Sequence, residues 1–247
     1  MKILFSPSET KTTKVSSPCI DENAFLFPYL YRKRYHVLEI YQDILKIQNI
    51  DTLQTLFGIK NEEHCLALSK VNLFFALTCK AIERYNGVAY EYLNYQTLGK
   101  DQKLFLDENV IIFSNLFGPL LASNVIPSYK LKQGSTLSGF KPEVFYKEFF
   151  SDALDTMLEN EFVIDLRAGF YEKFYTLKRP YVSMKFLKNG KVVSHFAKAY
   201  RGKILRELSS SQPQSEEEFQ CINFPNLKVI EILKINLKNE YVFEIID

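Results

Sequence analysis

Apolar positions along this chain fall either in short unbroken runs or in rows at helical spacing, and the alternation predicts strands interleaved with helices. Ile3-Leu4-Phe5 is a short apolar run stopped by Ser6-Pro7, as a buried strand would be. Between about 23 and 47, Leu30, Val37, Leu38, Tyr41 and Leu45 recur at helical spacing, with Arg32, Lys33 and Arg34 among them. Residues 51–84 read as further helices running to a stop at Asn86-Gly87. Val110-Ile111-Ile112-Phe113 predicts a buried strand, followed by a loop that holds Gly118, Pro119 and Pro127. Pro142 stands where a helix would make its first turn, and 144–158 keeps the helical pattern. Phe162-Val163-Ile164 is one more buried strand. Strands over 181–187 and 192–196 flank Asn189-Gly190, a strong hairpin signal, and 197–208 returns to helix. After the polar stretch 209–215 and a helix start at Glu216-Glu217-Glu218, 227–237 and 241–246 read as strands around a Lys238-Asn239 turn. There is no internal repeat. The expectation is an α+β fold with a mixed sheet flanked by helices, in a single domain over 1–247.

Composition adds a large core and removes several classes of function. Hydrophobic residues make up 47% of the chain and aromatics 15%, all Tyr and Phe. No run approaches the roughly 20 apolar residues of a membrane span, and nothing at the start reads as a signal peptide. Cys19, Cys65, Cys79 and Cys221 are scattered without a CxxC pair, which predicts free thiols in a reducing cytoplasm. His36, His64 and His195 are equally dispersed, so neither a zinc site nor any other metal is expected, and no motif predicts a cofactor.

Net charge is only +2, but its distribution is uneven. Between Leu166 and Arg206 eleven basic residues face the single acid Glu172, a local balance of +10, whereas residues 215–247 sum to −4. Such asymmetry predicts a positive face suited to a phosphate-rich partner. Within it, Lys198 and Arg201 share one face of a predicted helix, with Lys203 and Arg206 beyond and Gly202 leaving room for close approach. Leu53-Gln54-Thr55-Leu56-Phe57-Gly58-Ile59-Lys60 has the shape of a helix-hairpin-helix, within about 51–70. Gly58 supplies the turn, Asn61 the cap of the next helix, and Lys60 occupies the place of a second glycine. A solvated charged face and a plain helix connection remain the ordinary alternatives for these two signals.

An enzyme is the competing expectation. Ser6-Pro7-Ser8-Glu9-Thr10-Lys11 follows a predicted strand, and Asp165-Leu166-Arg167 and Ser194-His195 each end one, where open sheets place ligand loops. Ser6, Glu9, Lys11, Asp165, Arg167 and His195 would then surround a small anionic substrate, with His195, Asp165 or Glu9 as a general base. Their spacing matches no nucleophile elbow, Walker loop or metalloprotease helix.

Read in order, several segments resemble the YaaA family, bacterial proteins tied to peroxide stress. They are 5–11 (FSPSETK), 84–90 (RYNGVAY), 113–119 (FSNLFGP), 127–131 (PSYKL), 163–171 (VIDLRAGFY) and 193–202 (VSHFAKAYRG). The resemblance implies a compact α+β fold of unusual topology with a helix-hairpin-helix element. It also implies a positive cleft that binds double-stranded DNA, and a role in limiting hydrogen peroxide damage, through intracellular free iron among other routes. The DNA contacts would be Gly58, Lys60, Lys130, Lys198, Arg201, Gly202, Lys203 and Arg206. Two departures stand out. Lys11 lies one or two positions later than the lysine of many members, and Lys130 stands where arginine is usual, keeping charge without the bidentate fork. No carboxylate or histidine cluster at ligand spacing supports direct iron binding.

Overall fold

A computed structural model describes residues 1–246, apart from the side chains of Ser194 and His195. The chain opens with β1 (Lys2–Phe5) and the short β2 (Thr10–Lys11). Helices α1 (Tyr31–Ile47), α2 (Ile50–Phe57) and α3 (Glu62–Ser69) follow, then β3 (Thr78–Lys80), α4 (Ala81–Arg84), β4 (Tyr85–Asn86), α5 (Val88–Leu93) and α6 (Lys100–Asn109). Next come β5 (Val110–Ser114), β6 (Gly118–Leu121), β7 (Val125–Pro127), α7 (Pro142–Met157) and β8 (Val163–Asp165). The remainder is β9 (Tyr181–Lys188), β10 (Lys191–Val192), α8 (Ser194–Ser211), α9 (Glu216–Gln220), β11 (Leu227–Ile235) and β12 (Lys238–Ile245).

The main sheet is mixed and runs β11-β12-β9-β8-β1-β5-β6, with β10 paired to β9. Its five central strands, β12 to β5, are parallel, and each end is closed by an antiparallel partner. A parallel strand covered on both faces must be apolar throughout, which is why Ile3, Leu4, Val110, Ile111, Ile112 and Val163 are all fully buried. The α+β expectation with a mixed sheet among helices is met.

Connectivity fixes where a ligand cleft opens. After β1 the chain crosses to β5 on one side, and after β8 it crosses to β9 on the other. Between the carboxyl ends of β1 and β8 the two connections leave in opposite directions, the position at which open sheets of this kind hold ligands.

Several local expectations are corrected. Residues 51–84 are interrupted by β3, which pairs antiparallel with β7. The segment after β5 is not a loop: Gly118 enters the left-handed region at φ +68°, letting the chain turn straight into β6. Pro119 is accepted there because β6 is an edge strand. The strand expected over 192–196 ends at Val192, since Ser194 already opens α8. The final hairpin turns at Asn236, φ +55°, and not at Lys238-Asn239.

Candidate functional site

The loop leaving β1 is held open by its neighbours. Ser6 Oγ accepts the Ala168 N–H (2.8 Å) beyond β8, and the Ser6 carbonyl accepts the Tyr90 hydroxyl (2.9 Å). Ser8 and Thr10 both donate to the Asn86 carbonyl. Gly87, at φ +144°, is required at that junction, because a Cβ there would stand 2.5 Å from Ser8 Oγ. Glu9 reaches the other way: its carboxylate accepts the Gln133 N–H (3.0 Å) and pairs with Lys130 (3.4 Å).

α8 forms the opposite wall. It packs against α5 at one point of very close approach, where a Cβ on Gly202 would lie 2.0 Å from the Ala89 carbonyl oxygen. The room that Gly202 leaves is therefore filled by this chain's own main chain. Arg201, the residue just before Gly202, and Lys198, one turn earlier, line the cleft. Two adjoining chambers meet there, of about 420 Å³ and 490 Å³, and both are lined by Ala168, Lys198 and Arg201. The first chamber takes further wall from the β1 loop, α5, Gln133 and Tyr171; the second from Asp165, Arg167, Glu172, β9, Val192, Lys238 and Glu240.

Neither Lys198 nor Arg201 has a hydrogen bond or ion pair with any described residue. Burial pulls the Arg201 guanidinium below its ordinary range, while Asp165 and Glu172 across the chamber oppose the shift. Lys203 and Arg206 behave differently. Lys203 lies over the Tyr200 and Tyr92 rings (4.6 and 5.2 Å), and Arg206 donates to the carbonyls of Leu93 (2.8 Å) and Asn94 (3.2 Å) at the end of α5. The four basic residues expected to act together thus divide into two pairs facing different neighbours.

The acid and base candidates also divide. Arg167 is only 5% exposed and binds Asp165 bidentately (2.8 and 2.9 Å), the Tyr175 and Tyr171 carbonyls (2.9 and 3.3 Å) and the face of Phe113. It lines the second chamber, but its donors are engaged in fixing Asp165 and in bonds to the Tyr171 and Tyr175 carbonyls. His195 lies in the first turn of α8, and its side chain is outside the described residues.

Lys11 is half-buried and faces a tyrosine cluster that sequence spacing did not reveal. Its ammonium donates to the carbonyls of Ser8 (3.2 Å) and Glu9 (3.3 Å) and sits 3.9 Å above the Tyr129 ring. Burial first, then Lys130, brings its pKa down to about 7. Tyr129 bonds Tyr85 (2.9 Å), Ser114 (2.8 Å) and Asn115 (3.0 Å), and burial pushes the Tyr85 phenol up to about 12. The Arg84–Tyr90 and 127–131 segments carried the signal for this cluster, as Tyr85 and Tyr129 lie in them.

α2 and α3 are two short helices joined by a tight turn, at the place where the sequence suggested a helix-hairpin-helix. Gly58 ends α2 at φ +67°, and Asn61 Oδ1 accepts the His64 N–H (2.8 Å) to cap α3. Leu53 and Leu56 are buried between the helices and the core. The Lys132 stem covers Gly58, within 2.9 Å of where its Cβ would be, and the first turn of α3 carries Glu62 and Glu63. Those carboxylates already meet the positive end of the helix, so only the exposed Lys60 offers this turn's charge to an anion.

Among the described residues no group of three or more His, Cys, Asp and Glu could hold a metal ion, and no helix is long and apolar enough to cross a membrane. All four cysteines are free; Cys65 and Cys79 are buried, and burial pushes both thiols up.

The sequence profile of the family described as peroxide stress protein YaaA matches residues 1–232. A protein of Campylobacter jejuni is 49% identical over 248 residues, spanning 100% of both chains. A UPF0246 protein of Corynebacterium glutamicum is 33% identical over 225 residues, 87% of each chain, and one of Malacoplasma penetrans is 26% identical over 98% of each. With the profile covering residues 1–232 and a relative 49% identical over the whole chain, the protein belongs to the peroxide stress protein YaaA family.

Proposed function

We propose that this is a cytoplasmic DNA-binding protein of the peroxide-stress response, with Lys198 and Arg201 as its principal phosphate contact. The observation that carries the reading is that pair: two cations one helical turn apart, open to a cleft, with no direct hydrogen bond or ion pair to any described residue. A phosphate would supply the missing charge, and Arg201 could bind it through two N–H groups at once. Lys60 and Lys130 would add further cationic contacts, whereas Gly58 is covered by the Lys132 stem and Gly202, Lys203 and Arg206 serve packing within the protein. Contacts of this kind carry no base information, so binding should be nearly independent of sequence. Any effect on iron-driven damage would follow from occupancy of DNA and not from chelation.

Fluorescence anisotropy of a labelled duplex across a salt series tests the reading. Log affinity should fall linearly with log salt, with a shallower slope by roughly 2 in the Lys198→Ala/Arg201→Ala variant. Absence of binding at low salt, or a slope unchanged in that variant, would reject it. The second reading, an enzyme acting on a small anionic substrate, is favoured by one observation: the chambers lie at the reversal of strand order, beside Ser6, Glu9 and Asp165. Competition by small phosphates without any duplex binding would select it.

A further inference from the structure

The two chambers are similar in size and share one cationic junction, which limits the shape of what can fill both. Each lies within the roughly 300–1,000 Å³ of ligand pockets, and each presents an apolar wall beside hydrogen-bonding groups. In the first, Pro7, Val88 and Tyr90 face Ser8 and Glu9; in the second, Met184, Phe186 and Val192 face Ser183 and Glu172. Ser183 Oγ is buried with no hydrogen-bond partner, an unsatisfied group that a ligand hydroxyl or amide would satisfy.

Net positive charge is confined to a short distance. Lys198 and Arg201 stand at the junction; beyond it Glu9 lies in one chamber, and in the other Asp165, Glu172 and Glu240 are matched by Arg167, Lys185 and Lys238. A polyphosphate would find no further net positive charge for its outer groups in either chamber. A single anionic group at the junction, joined to two uncharged ring-bearing arms, meets net positive charge where it is charged and hydrogen-bonding groups where it carries hydroxyl and amino groups. Reversal points in parallel sheets accommodate ligands of this divided form across the crevice.

We propose that the cleft takes a phosphodiester-linked dinucleotide, its phosphate on Lys198 and Arg201 and one nucleoside in each chamber. This rests on the reading of that pair as a phosphate contact, and it names the substrate class: an unpaired, unstacked step of a nucleic acid strand. A stacked base pair could not send neighbouring nucleosides into separate chambers.

Calorimetry with thymidylyl-thymidine, thymidine monophosphate and inorganic phosphate tests it. Linking two arms makes the second contact intramolecular, so the dinucleotide should bind at least about tenfold more tightly than the mononucleotide. Lys198→Ala/Arg201→Ala should remove binding of both. Val88→Trp and Val192→Trp, at exposed wall positions of the first and second chamber, should each lower dinucleotide affinity to that of the mononucleotide while thermal denaturation stays unchanged. A dinucleotide that binds no tighter than the mononucleotide overturns the proposal even if duplex binding persists. Tight dinucleotide binding with no duplex binding would support it while rejecting the duplex reading above.

Discussion

The two ends of α8 carry the same charge and do opposite work. Lys198 and Arg201 line a cleft without a direct hydrogen bond or ion pair to any described residue, whereas Lys203 is occupied by the Tyr92 and Tyr200 rings and Arg206 by the terminal carbonyls of α5. Between them sits Gly202, pressed on Ala89. Basic density alone therefore does not define a binding face. What separates the two pairs is which side of the Gly202 contact they extend from, and whether the helix they approach offers free acceptors. Arg167 repeats the lesson, because it lies beside the same cleft with its donors on Asp165, Tyr171 and Tyr175.

The comparison breaks most severely if the pivot is changed. Gly202→Ala places a methyl group against main chain that cannot give way, and should destabilise by about 3 kcal/mol or more, read from denaturant midpoints. Next, Lys198→Ala/Arg201→Ala should weaken phosphate-dependent binding by roughly 10- to 100-fold and change stability by less than about 1 kcal/mol, since no direct hydrogen bond or ion pair to a described residue is lost. Arg206→Ala should do the reverse: about 1–2 kcal/mol of stability from the lost carbonyl bonds, with affinity within about threefold. Thermal melts and anisotropy on the same samples check both.

Lys11 sharpens the contrast further, as a cation held against its preference. Between about pH 7 and 10.5 the unfolded chain carries a proton on Lys11 that the folded chain lacks, so this group's contribution to stability rises with pH. Lys11→Met removes the penalty of burying the cation. The variant should gain about 1–2 kcal/mol at pH 6, and the gain should shrink steadily toward pH 10, measured as the difference in melting temperature. A gain independent of pH would mean that packing, not charge, is responsible.

The central strands were legible because parallel strands covered on both faces leave no polar position to confuse the pattern; Ile3-Leu4-Phe5, 110–113 and 162–164 all stand close to where the runs put them. Edge strand β6 was not, because Gly118-Pro119 carries turn residues that only its position makes compatible with a strand. α5, at six residues, is too short for a helical period to show. In the site, the (i, i+3) spacing of Lys198 and Arg201 was enough to place them together. The diversion of Lys203 and Arg206 was not readable, since it depends on α5, more than 100 residues earlier. The reach of Lys11 to Tyr129 is hidden in the same way.

The placement of β1 also has a consequence in time. Ile3 pairs with Val110 on one side and Ile164 on the other, so the middle of the sheet joins segments made far apart. At roughly 5–20 residues per second, β1 leaves the ribosome on the order of ten seconds or more before β8 exists to cover it. Throughout that interval Ile3, Leu4 and Phe5 are an unpaired apolar strand in search of an edge. Chaperone shielding of the nascent chain, and slow refolding governed by distant contacts, follow from the same strand order that creates the cleft.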